Sequence, residues 1–156
     1  MKTAVCVVIV VLSMALASTQ TRADLAGRWV RDADPGPGME DTFPAWEQIT
    51  LVDGAVEIVR SPRPAQVERY LTDTTERNTS RIRSARACRA AWDGAEFVVT
   101  CRENAQAPGG TVVAIVTREA RRLDAAGRLK LEISWRSGDQ TTTRVATFHR
   151  DGEVGR

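Results

Sequence analysis

The chain reads as all-β: an antiparallel up-and-down meander of eight or nine strands wound into a barrel, with a two-sheet β-sandwich as the alternative arrangement of the same strands. Three observations predict this. Beyond residue 23 no apolar pattern keeps a helical period over three turns. Short apolar runs separated by Gly, Asp and Pro recur instead, as they do in a meander. Asp53-Gly54, Asp93-Gly94 and Gly138-Asp139 each sit between two such runs, and these residue types tolerate the positive φ that tight hairpin turns demand. A closed barrel is the arrangement that leaves the fewest unpaired edges.

The compartment follows from the N-terminus. Met1-Lys2 precedes an apolar run from Ala4 to Leu16, and Ala15-Leu16-Ala17 and Thr21-Arg22-Ala23 both offer small-x-small triplets. This is the pattern of a secretory signal peptide over residues 1–23, with cleavage after Ala17 or Ala23. Its apolar run is too short to span a membrane. About 135 residues remain, enough for one domain with one core, taken as residues 24–152. Cys6 belongs to the leader, which leaves Cys88 and Cys101 for a single disulfide. The expected location is therefore exported, periplasmic or extracellular, and the arginine- and alanine-rich composition suggests a bacterial source. Losing Lys2 and Arg22 with the leader leaves twenty basic residues against twenty acidic ones. Without a clustered positive excess, nucleic-acid binding is excluded as the main role.

Taken in order, Ala26–Arg31 forms the first strand. The loop Asp32–Asp41 carries two prolines and two glycines that forbid regular structure, and Phe43 and Trp46 anchor the return. The hairpin Trp46–Ser61 turns at Asp53-Gly54, which sets Leu51 opposite Val56, Ile49 opposite Ile58 and Glu47 opposite Arg60. The apolar pairs make a core face. Glu47 and Arg60 are expected as an ion pair at its exposed rim, worth roughly 0.2–1 kcal/mol. Val67–Leu71 is a further strand bearing Tyr70, and Thr72–Ser80 turns. Ile82–Trp92 and Glu96–Glu103 form the next hairpin. Trp92, Ala90 and Cys88 share one face of it with Phe97, Val99 and Cys101. A four-residue loop sets Cys88 directly across from Cys101, whereas a two-residue loop sets them diagonally, so disulfide geometry favours the longer loop. Thr111–Leu123 is expected to bend or bulge, because Val112, Ala114 and Val116 keep one parity and Leu123 the other. Arg128–Trp135 alternates strictly and must be half buried. The turn at Gly138-Asp139 then sets Trp135 opposite Thr142 and Ile133 opposite Arg144 on the final strand, Thr141–Arg150.

Gly27-Arg28-Trp29 resembles the Gly-x-Trp that opens lipocalins. Arg144 or Arg150 would match the late arginine that packs over that tryptophan in the family, a favourable cation–π arrangement. More of the chain resembles a loose group of bacterial exported lipocalin-like proteins. Gly27–Trp29, Tyr70–Asp73, Trp92–Gly94 and Asp124–Leu129 look like that group's Gly-x-Trp start, mid-chain Tyr-x-x-Asp, Trp-Asp-Gly hairpin and late Asp-x-x-Gly-x-Leu hairpin. The resemblance implies a lipocalin-like barrel and no particular activity. The first strand and single disulfide also resemble the small periplasmic barrels that inhibit secreted bacterial metalloproteases. In those proteins the N-terminal segment, here Ser18–Ala26, enters the protease cleft.

Chemistry-bearing residues are sparse. His149 is the sole histidine, and no nucleophile or orienting acid is placed beside it, so no catalytic residue is assigned and the chain is expected not to be an enzyme. No metal or other cofactor is expected, since the cysteines are used and Asp32, Asp34, Glu40 and Asp41 lack the spacing of a calcium loop. Gly27, Trp29, Trp92, Asp93 and Gly94 are assigned structural roles. The anomaly is a pair of arginines on the apolar parity: Arg86, with Cys88 and Trp92, and Arg144, opposite Ile133. A buried guanidinium needs a carboxylate, a ring face or an anionic ligand. The expected function is a small-molecule binding module, its ligand apolar or amphipathic with an acidic head positioned by Arg86 or Arg144. The second reading is a protein partner, as for a protease inhibitor or envelope-assembly factor, and a barrel filled by its own side chains would favour it. Arg81, Arg83 and Arg89 form a basic outer stripe.

Overall fold

The computed structural model describes residues 21–32, 42–78, 86–107 and 109–152. Most of the expected leader, the acidic positions Asp34, Glu40 and Asp41, and Arg81 and Arg83 lie outside the described residues. A 3₁₀ turn, Arg22–Leu25, precedes ten strands: β1 (Gly27–Arg31), β2 (Trp46–Val52), β3 (Ala55–Arg60), β4 (Arg63–Leu71), β5 (Arg77–Asn78), β6 (Ala87–Asp93), β7 (Glu96–Gln106), β8 (Val112–Leu123), β9 (Leu129–Ser137) and β10 (Gln140–Arg150). One of them, β5, is a two-residue stub. All belong to one antiparallel sheet in the order β4-β3-β2-β1-β10-β9-β8-β7-β6-β5. Pairing of the first strand with the last turns the meander back on itself, and β4 comes to lie beside β6 without ladder bonds. The result is a nearly closed barrel with its one seam there, compatible with a lipocalin-like fold.

The hairpin registers follow the turn residues. Leu51 pairs with Val56 and Ile49 with Ile58, Trp92 with Phe97 and Cys88 with Cys101, and Ile133 with Arg144. Cys88 and Cys101 are joined in a disulfide. By loop closure alone such a bridge contributes about 3 kcal/mol. It also fits an oxidising compartment, and among the described residues no helix is long and apolar enough to cross a membrane.

Four elements differ from expectation. Arg77–Asn78, inside the expected turn Thr72–Ser80, pairs with β6. The Cys88–Cys101 hairpin has a two-residue turn at Gly94-Ala95, with Asp93 paired to Glu96, in place of the expected four-residue loop; direct pairing of the cysteines holds because the turn sits one residue later than Asp93-Gly94. The strand expected at Val67 starts at Arg63 and includes Pro64, which an edge strand accepts because one side of its backbone makes no ladder bonds. The expected bulge in β8 is absent: its register with β7 runs unbroken from Phe97↔Arg121 to Gln106↔Val112. Because Cys101 faces inward opposite Thr117, the intervening alternation sends Val112 and Val116 outward and Glu119 and Arg121 inward. Hydrophobic parity misleads on this strand because its inward face is charged.

The base of the barrel is apolar and stoppered. Trp29, Ile49, Val56, Ile58, Phe97, Val99, Leu129, Leu131 and Phe148 fill it, each 2% exposed or less. The 3₁₀ turn closes this end: Leu25 is buried, Trp29 Nε1 donates to Leu25 O at 3.0 Å, and Arg22 lies over the Trp92 ring while donating to Gly94 O. Arg150 stacks on Trp29 at 4.5 Å from the ring centroid and donates to Ala26 O and Asp24 O, both at 2.8 Å. Of the two arginines considered for the Trp29 contact, Arg150 makes it.

Gly27 admits this arrangement. Its φ is +139°, and a Cβ there would fall 2.6 Å from Arg150 Nη1, so both the backbone and the close approach require glycine. Gly27→Ala is expected to lower stability to urea by about 1–3 kcal/mol. A loss below about 0.5 kcal/mol, the size of a neutral surface change, would show that Arg150 does not fix the base.

Candidate functional site

Above the apolar base the lumen is crossed by charge. Inward-facing positions place Glu47 on β2, Arg60 on β3, Glu68 and Tyr70 on β4, and Glu119 and Arg121 on β8. Glu47 and Arg121 are both 0% exposed. Arg121 donates from Nε to Glu47 Oε1 at 3.0 Å and from Nη2 to Glu47 Oε2 at 3.1 Å, a bidentate pair between strands that are not sheet neighbours. The same Nη2 reaches Glu119 Oε2 at 2.9 Å. Arg60 donates to Glu119 Oε2 at 3.2 Å and to Glu68, and the Tyr70 hydroxyl donates to Glu68 Oε2 at 2.7 Å.

This corrects the expected rim pair. Glu47 and Arg60 are opposite in register, but neither is a solvated partner of the other. The Glu47 carboxylate turns to Arg121 across the barrel, and Arg60 turns to Glu68 and Glu119. A carboxylate with no water around it needs the best-placed fork available, and Arg121 provides it.

Arg86 completes the charge balance. Glu47, Glu68 and Glu119 stand against Arg60, Arg121 and Arg86, whose positive field also reaches Glu119. Burial works to raise the Glu119 carboxyl, but Arg60 and Arg121 outweigh it and hold it at about 2. Burial, with Glu119 and Glu68 nearby, pushes the Tyr70 phenol well above its usual range, so it stays a donor. Arg60 Nε and Arg121 Nη1 are buried and have no hydrogen-bond partner among the described residues.

A recess of about 330 Å³ opens over this network at the mouth of the barrel, lined by Arg60, Ser61, Pro62, Arg63, Gln66, Glu68, Arg86 and Glu119. The turn between β3 and β4 forms one wall, and the start of β6 brings Arg86 to the other. Among the described residues that line it, three are arginines and two are carboxylates. Arg144 is not part of it: it points inward opposite Ile133 and donates to Thr42 Oγ1 at 2.9 Å. The two arginines singled out from sequence are thus separated, one at the recess and one beside Thr42, ahead of β2. Trp92 packs against Phe97, ring centroids 5.1 Å apart, Asp93 ends β6 opposite Glu96 and Gly94-Ala95 makes the turn, so neither Trp92 nor the turn lines the recess. His149 Nδ1 lies 2.7 Å from Asp32 Oδ1, also away from it.

Sequence reasoning missed Glu119 and Arg121. The available signal was Leu123, whose odd parity with Phe97-facing positions made Glu119 and Arg121 its inward companions once the bulge was set aside. Comparison with protein-family models, with curated proteins and with solved structures gives no match.

Removing one member of the buried pair leaves an uncompensated charge. Glu47→Ala is expected to cost about 3–5 kcal/mol in chemical unfolding, with much of this recovered in the Glu47→Met/Arg121→Met double variant; a single variant within about 1 kcal/mol of wild type would contradict the network's role. The Glu119 carboxyl lies below its ordinary value of 4.5 in the folded state. Its stabilising contribution is therefore complete above pH 4.5 and lost as the pH falls through about 2. Urea titrations across this window should show stability falling with acid, and the slope should flatten in Glu119→Gln. An unchanged slope in that variant would assign the acid sensitivity elsewhere.

Proposed function

We propose that this chain is an exported small-molecule binding module whose ligand is a small acid held at the mouth of the barrel. The observation that carries this reading is the coincidence of the 330 Å³ recess with strongly shifted, buried ionisable groups. A concave site with a few convergent polar groups and perturbed titratable residues is the common form of a ligand pocket. The guanidiniums of Arg60, Arg63 and Arg86 line the recess, and forked donors of this kind match a carboxylate. The apolar base is filled by its own side chains, the condition that favours a protein partner, but the filling stops below the mouth, where the recess stays open; it leaves a long aliphatic tail no channel below the recess. The ligand is accordingly compact and polar rather than fatty.

A role in binding a protein through the N-terminal segment is favoured less, because from Arg22 to Ala26 that segment is tied into the base by Leu25, Trp29 and Arg150. The test is calorimetric titration with an alkanoate series from acetate to palmitate and with polar acids such as citrate and glutamate. Compact acids should bind, and Arg86→Ala or Arg63→Ala should weaken them about ten- to a hundredfold, the loss of one charge-assisted contact. Affinity that climbs steadily with chain length would show that the lumen opens to a tail and would sink the compact-acid reading.

A further inference from the structure

The outer wall carries a second concavity that the recess does not explain. It is a trough of about 550 Å³ running across β6, β7, β8, β9 and the start of β10, on the face opposite the lumen. Its floor is made of short side chains, Ala91, Val98 and Val116 among them, with hydroxyls from Thr100 and Ser134. Arg89 stands at one end and Arg136 toward the other. Arg102 is directly across from Val116 and Arg136 is the next neighbour on the other side, so arginines alternate with small residues along the row.

The charges are unevenly satisfied. Arg118, in the middle, is held by Glu96 and Glu132, which also engage Arg122. Among the described residues Arg89, Arg102 and Arg136 have no ion-pair partner, and Asp93 is the one carboxylate lining the trough. All three are exposed. The apolar strip continues beyond the trough along β8 to Val112, which is 65% exposed. A chain whose formal net charge is only +2 has thus collected, among its described residues, three guanidiniums without ion pairs around one apolar-floored groove.

We propose that this trough docks an extended acidic segment of a partner protein. Charge complementarity selects acid, since the groove is otherwise self-repelling. Its shape selects a polypeptide: the apolar side chains lie on the floor between arginines, where a flat bilayer does not reach them. Its length sets the spacing. Arg89 and Arg136 stand three strands apart, roughly 15 Å, which matches carboxylates about four residues apart on an extended chain. Small apolar residues between those carboxylates would rest on Val98 and Val116.

The test is fluorescence anisotropy with a labelled peptide of Glu-Ser-Val-Ser repeats, which keeps glutamates four residues apart and the valines between them on one face, its lysine counterpart, and phosphatidylglycerol vesicles. The glutamate peptide should bind, more weakly as salt rises. Arg89→Ser/Arg136→Ser should lose at least tenfold in affinity, while Arg69→Ser, on β4, changes nothing. Arg89→Glu/Arg136→Glu should reverse the preference toward the lysine peptide. Among the described residues Arg89 and Arg136 make no ion pair and Arg69 makes only the exposed pair with Glu57, and equal melting temperatures of the variants verify that the fold is kept. Equal affinity of the double serine variant and wild type, no peptide binding, or vesicle binding without peptide binding would each overturn the proposal.

Discussion

Arg121 carries a guanidinium into an interior otherwise built from tryptophan, phenylalanine and branched aliphatic side chains, and two carboxylates from different walls have to meet it there. Coulomb attraction in such surroundings is strong, but so is the cost of removing each ion from water. The arrangement holds because Glu47 accepts both arms of one fork and Glu119 takes the remaining contact. This constrains the barrel as a whole. β2 and β8 are four strands apart around the sheet, so the pair fixes the width of the lumen where backbone ladders alone would leave it free to flatten. Register is also constrained, since a one-residue slip of β8 would turn Arg121 out and Ala120 in.

The two ends of the barrel then serve different purposes. At the base, Trp29, Arg150 and the 3₁₀ turn make a closed stopper in which the Trp29 indole and the Arg150 guanidinium bond to the turn's backbone carbonyls. At the mouth, the network is only partly covered, and Arg60, Arg86 and Glu119 meet solvent through the recess. An ion network half-open to water is poised to exchange one of its internal partners for a solute, which a fully buried one is not. That asymmetry is why the candidate site lies at this end, although the aromatic residues lie at the other.

The outer wall shows the same economy of charge in reverse. Glu96 and Glu132 lock Arg118 and Arg122, while Arg89, in the same cross-strand row as Arg118, and Arg102 and Arg136 stay exposed. Outward valines on β8 follow from the inward placement of Glu119 and Arg121, because alternation permits no other side for them. The buried network and the apolar-floored trough are therefore two consequences of one strand register.

Local chemistry determined much of this protein before any strand met another. Glycine-bearing two-residue turns at Asp53-Gly54, Gly94-Ala95 and Gly138-Asp139 set three hairpin registers, and those registers put Cys88 across from Cys101 and turned Arg144 inward, because a period-two backbone converts a turn position directly into a side-chain face. Arg86 was placed on the inward face by the same counting. What counting could not reach was any contact between strands far apart in sequence. That Glu47 belongs to Arg121 rather than to the facing Arg60, that Arg150 rather than Arg144 covers Trp29, and that Val112 and Val116 face water were decided only when the sheet closed. Closure brings β2 and β8 face to face across a lumen, and a buried charge then chooses its partner by geometry in three dimensions, not by position along the chain.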